Sequence, residues 1–208
     1  ALKNNSVIND ELYPIEDEKH GLPLKAKEDT WFSPENDNNL PSRILPYLYL
    51  GGINHLSSKT ILELLEINYI ITIGEKPTWL NLVAFDNKFN YEGLDPVLKA
   101  KFNKNDIIEI DNPLPFVKKL IYLPNVQDNG IDSFEPYFLY LLRVIRRLRE
   151  ENQKLDEEEQ QQQHNDEQLK KTGRNKVLVN GKVGVSRSAS LCIADVMNFL
   201  KISLPKAY

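Results

Sequence analysis

A chain of 208 residues, 41% hydrophobic and 27% charged, is sized for one globular domain with polar material left over. Its formal net charge of −4 leaves no electrostatic footprint for nucleic acid or for an acidic membrane surface. The single cysteine, Cys192, excludes an internal disulfide and points to a reducing compartment, cytoplasm or nucleus. No apolar run is long enough to cross a bilayer, and the first residues carry no secretory pattern.

Residues 1–40 are polar and read as a mostly irregular arm, with Trp31 and Phe32 as possible anchors. Order is expected from "PSRILPYLYLGG", Pro41 to Gly52, as one strand ending in a glycine turn. "SSKTILELLEIN" follows as a helix capped by Ser57 or Ser58, with Ile61, Leu64 and Leu65 at helical spacing. "YIITIGE" is a β-branched run of the kind a buried strand requires. From about 76 to 117 the pattern is weak and broken by Pro77, Pro96, Pro113 and Pro115, which reads as an insertion. "KLIYLPNV" is the next strand.

Asp132 to Gln153 is the clearest helix, with Phe134, Phe138, Leu141, Leu142, Ile145 and Leu148 in one apolar stripe. Arg143, Arg146, Arg147 and Arg149 crowd its other faces and read as a solvated surface, or alternatively as a docking patch for an acidic partner. A second insertion covers about 151–175; its "EEEQQQQHNDEQLKKTGRN" is low-complexity and either extends the helix or forms a loop. "KVLVN" is a strand and Ser188 to Leu200 a helix. Ser203 followed by Leu-Pro looks like the start of another helix, so the chain is expected to be a fragment. Strands alternating with helices give an α/β domain over 41–208, a central mostly parallel sheet flanked by helices.

Ligands of such sheets collect at the carboxyl ends of the strands. "KVLVNGKVGVSRSAS" sits at one of them: a buried strand, a glycine-punctuated loop, then a helix start. In the stretch Gly181, Lys182, Val183, Gly184, Val185 and Ser186 the small residues let backbone N–H groups converge, and the helix N-terminus adds partial positive charge. Arg187 supplies a planar fork matched to phosphate oxygens. The nucleotide P-loop pattern G-x-x-x-x-G-K-[ST] fails, because Lys182 follows the first glycine directly. A plain strand-to-helix turn is the alternative. No side chain in the loop is placed to attack. Cys192 lies inside the following helix and reads as a small buried hydrophobe. His20 and His164 fall in low-order segments, and His55 follows a glycine turn as ordinary loop structure.

These residues resemble the dual-specificity protein phosphatases of the cysteine-based tyrosine phosphatase superfamily. That family's signature is His-Cys, five residues, Arg, then Ser or Thr, and "VNGKVGVSRSA" keeps the spacing with Gly184, Arg187 and Ser188. "PSRILPYLYLGG" is similar to the family's opening strand, and "VQDNGIDSFEPYF" to its general-acid loop and following helix. The likeness covers about 41–75 and 118–208 and is strongest to large fungal members. It implies a tyrosine-phosphatase-like fold truncated at its C-terminus, with the last helices beyond Tyr208.

It also implies that Arg187 clamps phosphate and Ser188 supplies the hydroxyl that assists the leaving thiolate. Asp128 then stands at the general-acid position, with Asp132 as the runner-up; Asp-Asn-Gly is in any case a strong turn signal. The nucleophile position is Gly181, and Asn180 replaces the preceding His. Glycine cannot form a phosphoenzyme. The resemblance implies neither metal nor cofactor. Three readings follow. The first is a pseudophosphatase that holds protein phosphorylated on Tyr, Ser or Thr. The second is an active phosphatase whose sequence carries an inactivating change. The third is an interaction domain without phosphate affinity.

Overall fold

The computed structural model describes residues 40–126, 134–162, 173–181 and 186–201. The N-terminal arm and the segment from Ser203 onward lie outside them. Six strands form one sheet: β1 (Ser42–Leu45), β2 (Leu48–Gly51), β3 (Tyr69–Ile73), β4 (Ile108–Leu114), β5 (Val117–Leu123) and β6 (Val177–Asn180). Their spatial order is β1-β2-β6-β3-β5-β4. The four inner strands run parallel, and β1 and β4 close the two edges antiparallel. The sheet is therefore mixed, with the parallel centre that the strand–helix alternation predicts.

Two expectations are corrected. The stretch from Pro41 to Gly52 is not one strand but the hairpin β1–β2, which turns at Pro46-Tyr47. The interrupted stretch 76–117 is not outside the sheet throughout, because its last residues are the edge strand β4. The break in pattern there is a register shift between Asp111 and Leu114, where Asn112 takes φ +50°. Asn tolerates that left-handed conformation better than most residues.

Alternation along the inner strands divides the core. Ile71, Ile73, Val177 and Val179 face one side, where α4 (Glu135–Gln162) and α5 (Ser186–Leu200) pack with Leu141, Ile145, Leu148, Leu191 and Val196. Ile70, Leu120 and Leu178 face the other, which α1 (Ile53–Ser57) and α2 (Lys59–Leu64) cover with Leu56 and Leu62. Ser58 caps α2, its hydroxyl accepting from the Ile61 N–H at 3.2 Å; this is the second of the two expected caps. A short α3 (Pro96–Lys101) begins at Asp95, whose carboxylate accepts from Val97 and Leu98 N–H groups.

The helix expected over 132–153 runs on to Gln162, so the glutamate-rich stretch extends it as far as the described residues reach. At 1.5 Å per residue, 28 residues span about 42 Å. Arg174 holds the far end by bridging Asp156 at 2.9 Å and Glu159 at 2.8 Å. Asn175 and Asn152 exchange backbone and side-chain hydrogen bonds at 2.7 and 2.9 Å, which ties the approach to β6 against the helix. No described helix is long and apolar enough to cross a membrane.

Candidate functional site

The site is built on the carboxyl end of β6, the strand at the middle of the sheet. In register there, Asn180 lies between Gly51 of β2 and Thr72 of β3. Asn180 is wholly buried. Its side-chain NH₂ donates to Thr72 Oγ1 at 3.2 Å and to Glu75 Oε2 at 3.3 Å. Thr72 in turn donates its hydroxyl to the Glu75 carbonyl at 2.6 Å. Gly74 makes the bend between them with φ +75°, its N–H reaching Leu123 O at 2.9 Å, and any Cβ there would be strained. Asn180 Oδ1 is buried and has no hydrogen-bond partner among the described residues. Thr72 and Glu75 were not legible as site residues; they reach Asn180 only through strand register.

Gly181 follows, also buried. Lys182, Val183, Gly184 and Val185 lie outside the described residues, as do Asp128 and Asp132. Ser186 is the first residue of α5, so this helix starts two residues earlier than its sequence pattern predicts. Arg187 and Ser188 occupy its first turn and are only 6% and 4% exposed. Both take part in further interactions within the fold. A buried arginine at a helix start needs partners to offset desolvation, and one is visible: the guanidinium lies 5.7 Å from the ring centroid of Phe134, just ahead of α4. The structure thus brings Asn180, Gly181, Arg187 and Ser188 to one end of the β6–α5 unit.

Cys192 is 2% exposed, and burial, then the nearby Asp195 carboxylate, pushes its thiol well above the ordinary range. It is a packed hydrophobe, as its helical position predicts, and not a thiolate. His55 sits within α1, not in a loop as its place after the glycines suggests. Its Nδ1 accepts from the Gly52 N–H at 3.0 Å, and burial lowers its pKa. Among the described residues no group of three or more His, Cys, Asp or Glu could hold a metal ion.

A second buried polar cluster braces α5 from behind. Asp195 accepts from Tyr47 OH at 2.6 Å and from Arg149 Nη1 at 2.8 Å. Phe199 packs against both partners, edge-on to Tyr47 at 5.9 Å and beneath the Arg149 guanidinium at 5.3 Å. Burial pushes the Asp195 carboxyl up, against the pull of Tyr47 and Arg149. Arg149 is 6% exposed, which corrects its reading as part of a solvated arginine face. This cluster fixes hairpin, α4 and α5 to one another and so sets where the start of α5 stands.

No family model matches the chain. It is similar to the dual specificity protein phosphatase PPS1 of Saccharomyces cerevisiae, 29% identical over a 192-residue alignment that covers 81% of this chain. This likeness supports a dual-specificity-phosphatase-like domain. The chain spans 21% of the length of that relative. Solved structures similar to this chain include a variant of human DUSP28 (16% identity, TM-score 0.47, covering 81% of this chain and 77% of that one). Others are DUSP15 (18%, 0.47, 81% and 72%) and human tyrosine phosphatase-like serine/threonine/tyrosine-interacting protein (19%, 0.43, 79% and 77%).

Proposed function

We propose that this phosphatase-like domain holds phosphorylated protein, on Tyr, Ser or Thr, without hydrolysing it. One observation carries the reading: a residue without a side chain, Gly181, directly follows the central strand, while Arg187 stands buried in the first turn of the helix that follows. The chemistry that would break a phosphoester through a covalent intermediate needs a nucleophile at the strand end. The chemistry that binds a phosphate needs a guanidinium and converging N–H groups. Arg187 supplies a guanidinium of the second kind, and Gly181 offers no nucleophile of the first. A thiolate beneath a bound dianion would also repel it, so glycine favours retention over turnover.

Calorimetry with a synthetic phosphopeptide tests this. Binding is expected, weakened in Arg187→Ala by about 10- to 100-fold, as losing charge-assisted hydrogen bonds of about 1.5–3 kcal/mol requires. An aryl phosphate should not turn over. Metal-independent turnover by the native chain overturns the reading, and so does undiminished phosphopeptide binding in Arg187→Ala.

The second reading, a phosphatase disabled by a local change, draws on the confinement of the loss to Asn180 and Gly181. Thr72 Oγ1 and Glu75 Oε2 are within 3.3 Å of the Asn180 amide and could accept from an imidazole placed there instead. Turnover in an Asn180→His, Gly181→Cys double variant supports it; a folded but inert double variant removes it.

A further inference from the structure

We infer that Asp106 is a positioning residue for Arg187, holding the start of α4 so that the Phe134 ring stands against the guanidinium. The use of that geometry for phosphate rests on the function proposed above; the placement itself does not.

Asp106 lies just ahead of β4, its N–H donating to the Asn103 carbonyl at 3.0 Å. Strand β4 runs antiparallel to β5, while β5, β3 and β6 run parallel. The start of β4 therefore falls at the end of the sheet where β6 stops and Gly181 follows. Both carboxylate oxygens of Asp106 are engaged, on two different elements. Oδ1 accepts from Asn125 Nδ2 at 3.1 Å, two residues past β5. Oδ2 accepts from Tyr137 OH at 2.8 Å, in the first turn of α4. One side chain thus ties the end of a central strand to the start of the helix that carries Phe134.

Tyr137 is 4% exposed, and its ring packs edge-on against Phe102 at 4.7 Å. Burial, then the bond to Asp106, pushes its hydroxyl up to about 12 against the pull of the Asn103 N–H, so it keeps its proton and donates. Removing Asp106 takes away the acceptor of that proton, and a buried donor left unpaired costs enough to displace the side chain.

The path from Tyr137 to Arg187 is short. Phe134 lies three residues before Tyr137, and its carbonyl accepts from the Phe138 N–H at 2.9 Å, closing the first turn of α4. The Phe134 ring is edge-on to Phe138 at 5.9 Å, and its centroid is 5.7 Å from the Arg187 guanidinium. A hydrogen-bonded turn moves as a unit, so a displaced Tyr137 shifts Phe134 against the cation it faces. Arg187 has further interactions in the fold, and Asp106 adjusts its placement rather than creating it.

Nuclear magnetic resonance of the full chain with isotope-labelled arginine tests this through the Arg187 Nε–H signal, assigned by its loss in Arg187→Lys. Phe134→Leu marks where that signal falls without the ring. Asp106→Ala and Tyr137→Phe should each move it toward the Phe134→Leu position. Asp106→Asn, which keeps an acceptor oxygen, should move it less. Ser58→Ala removes the cap of α2 on the opposite face of the sheet and should leave it in place. Circular dichroism confirms that each variant is folded. By calorimetry Asp106→Ala should weaken phosphopeptide binding by about 3- to 10-fold, less than loss of the guanidinium itself. An unmoved signal in folded Asp106→Ala overturns the inference, and so does a shift of equal size in Ser58→Ala. Asp106→Asn matching Asp106→Ala also overturns it, since the charge and not the bond would then act. A native chain that binds no phosphopeptide defeats the proposed function, while a moved signal still upholds the placement.

Discussion

The two buried polar clusters, one at Asp195 of α5 and one at Asn180 of β6, differ in how completely they close. At Asp195 each carboxylate oxygen has a donor, from Arg149 and from Tyr47, and an aromatic ring seals the group. At Asn180 the amide NH₂ is used twice while Oδ1 finds no partner among the described residues. A satisfied charged network fixes geometry, and a half-satisfied one marks a place where local packing has yielded to another demand. The first cluster is structural. The second lies where the strand hands over to the candidate phosphate loop.

Breaking each cluster should expose that difference. Arg149→Ala leaves Asp195 buried without its cation and should lower the unfolding free energy by about 3–5 kcal/mol in urea denaturation. If the penalty comes from the orphaned carboxylate, replacing the pair together, Arg149→Met with Asp195→Leu, should recover most of it. Tyr47→Phe removes one donor from the same carboxylate and should cost about 1–3 kcal/mol. Asn180→Ala removes two neutral donations but also an unpaired buried oxygen, so its cost should stay near or below about 1 kcal/mol. A loss as large as that from Arg149→Ala would erase the contrast.

The smallest effect is a pH dependence near Asn180. His55 has its pKa lowered by burial from the ordinary 6.5, so the unfolded chain takes up this proton at higher pH than the folded one. Its stabilising contribution is complete above the unfolded value and is lost as pH falls through the lower folded one. Protonated Nδ1 also cannot accept from the Gly52 N–H. Thermal unfolding followed from pH 7 to 5 should fall less steeply in His55→Gln than in the native chain.

What was legible in the sequence and what was not follow from the range of the interactions. "YIITIGE" and "KVLVN" read correctly as buried strands because both faces of a parallel strand are covered, which produces unbroken apolar runs. The α4 stripe read correctly through Leu141, Ile145 and Leu148. The β1–β2 hairpin was hidden because its turn, Pro46-Tyr47, sits inside an apolar run and Tyr47 is itself a core residue. Strand β4 was hidden because Asp111, Asn112 and Pro113 interrupt its alternation at a bulge. Arg149 looked like its exposed neighbours because its partner is 46 residues away. At the candidate site, the sequence reading singles out Gly181 and Arg187 by spacing and Asn180 by its place beside them. Thr72 and Glu75 could not, since only the sheet register sets them against Asn180.

The length of α4 carries one more consequence. One end begins beside Phe134, the ring under Arg187, and the other reaches Gln162, about 40 Å along the axis. The chain returning to β6 is clamped toward that far end, by Asp156, Glu159 and Asn152. Sequence added or lost between Gln162 and Gly173 therefore enters on the far side of a clamp from the candidate site at Gly181. That gives the domain a place to vary in length without disturbing the geometry at Gly181, a tolerance for growth built into the architecture.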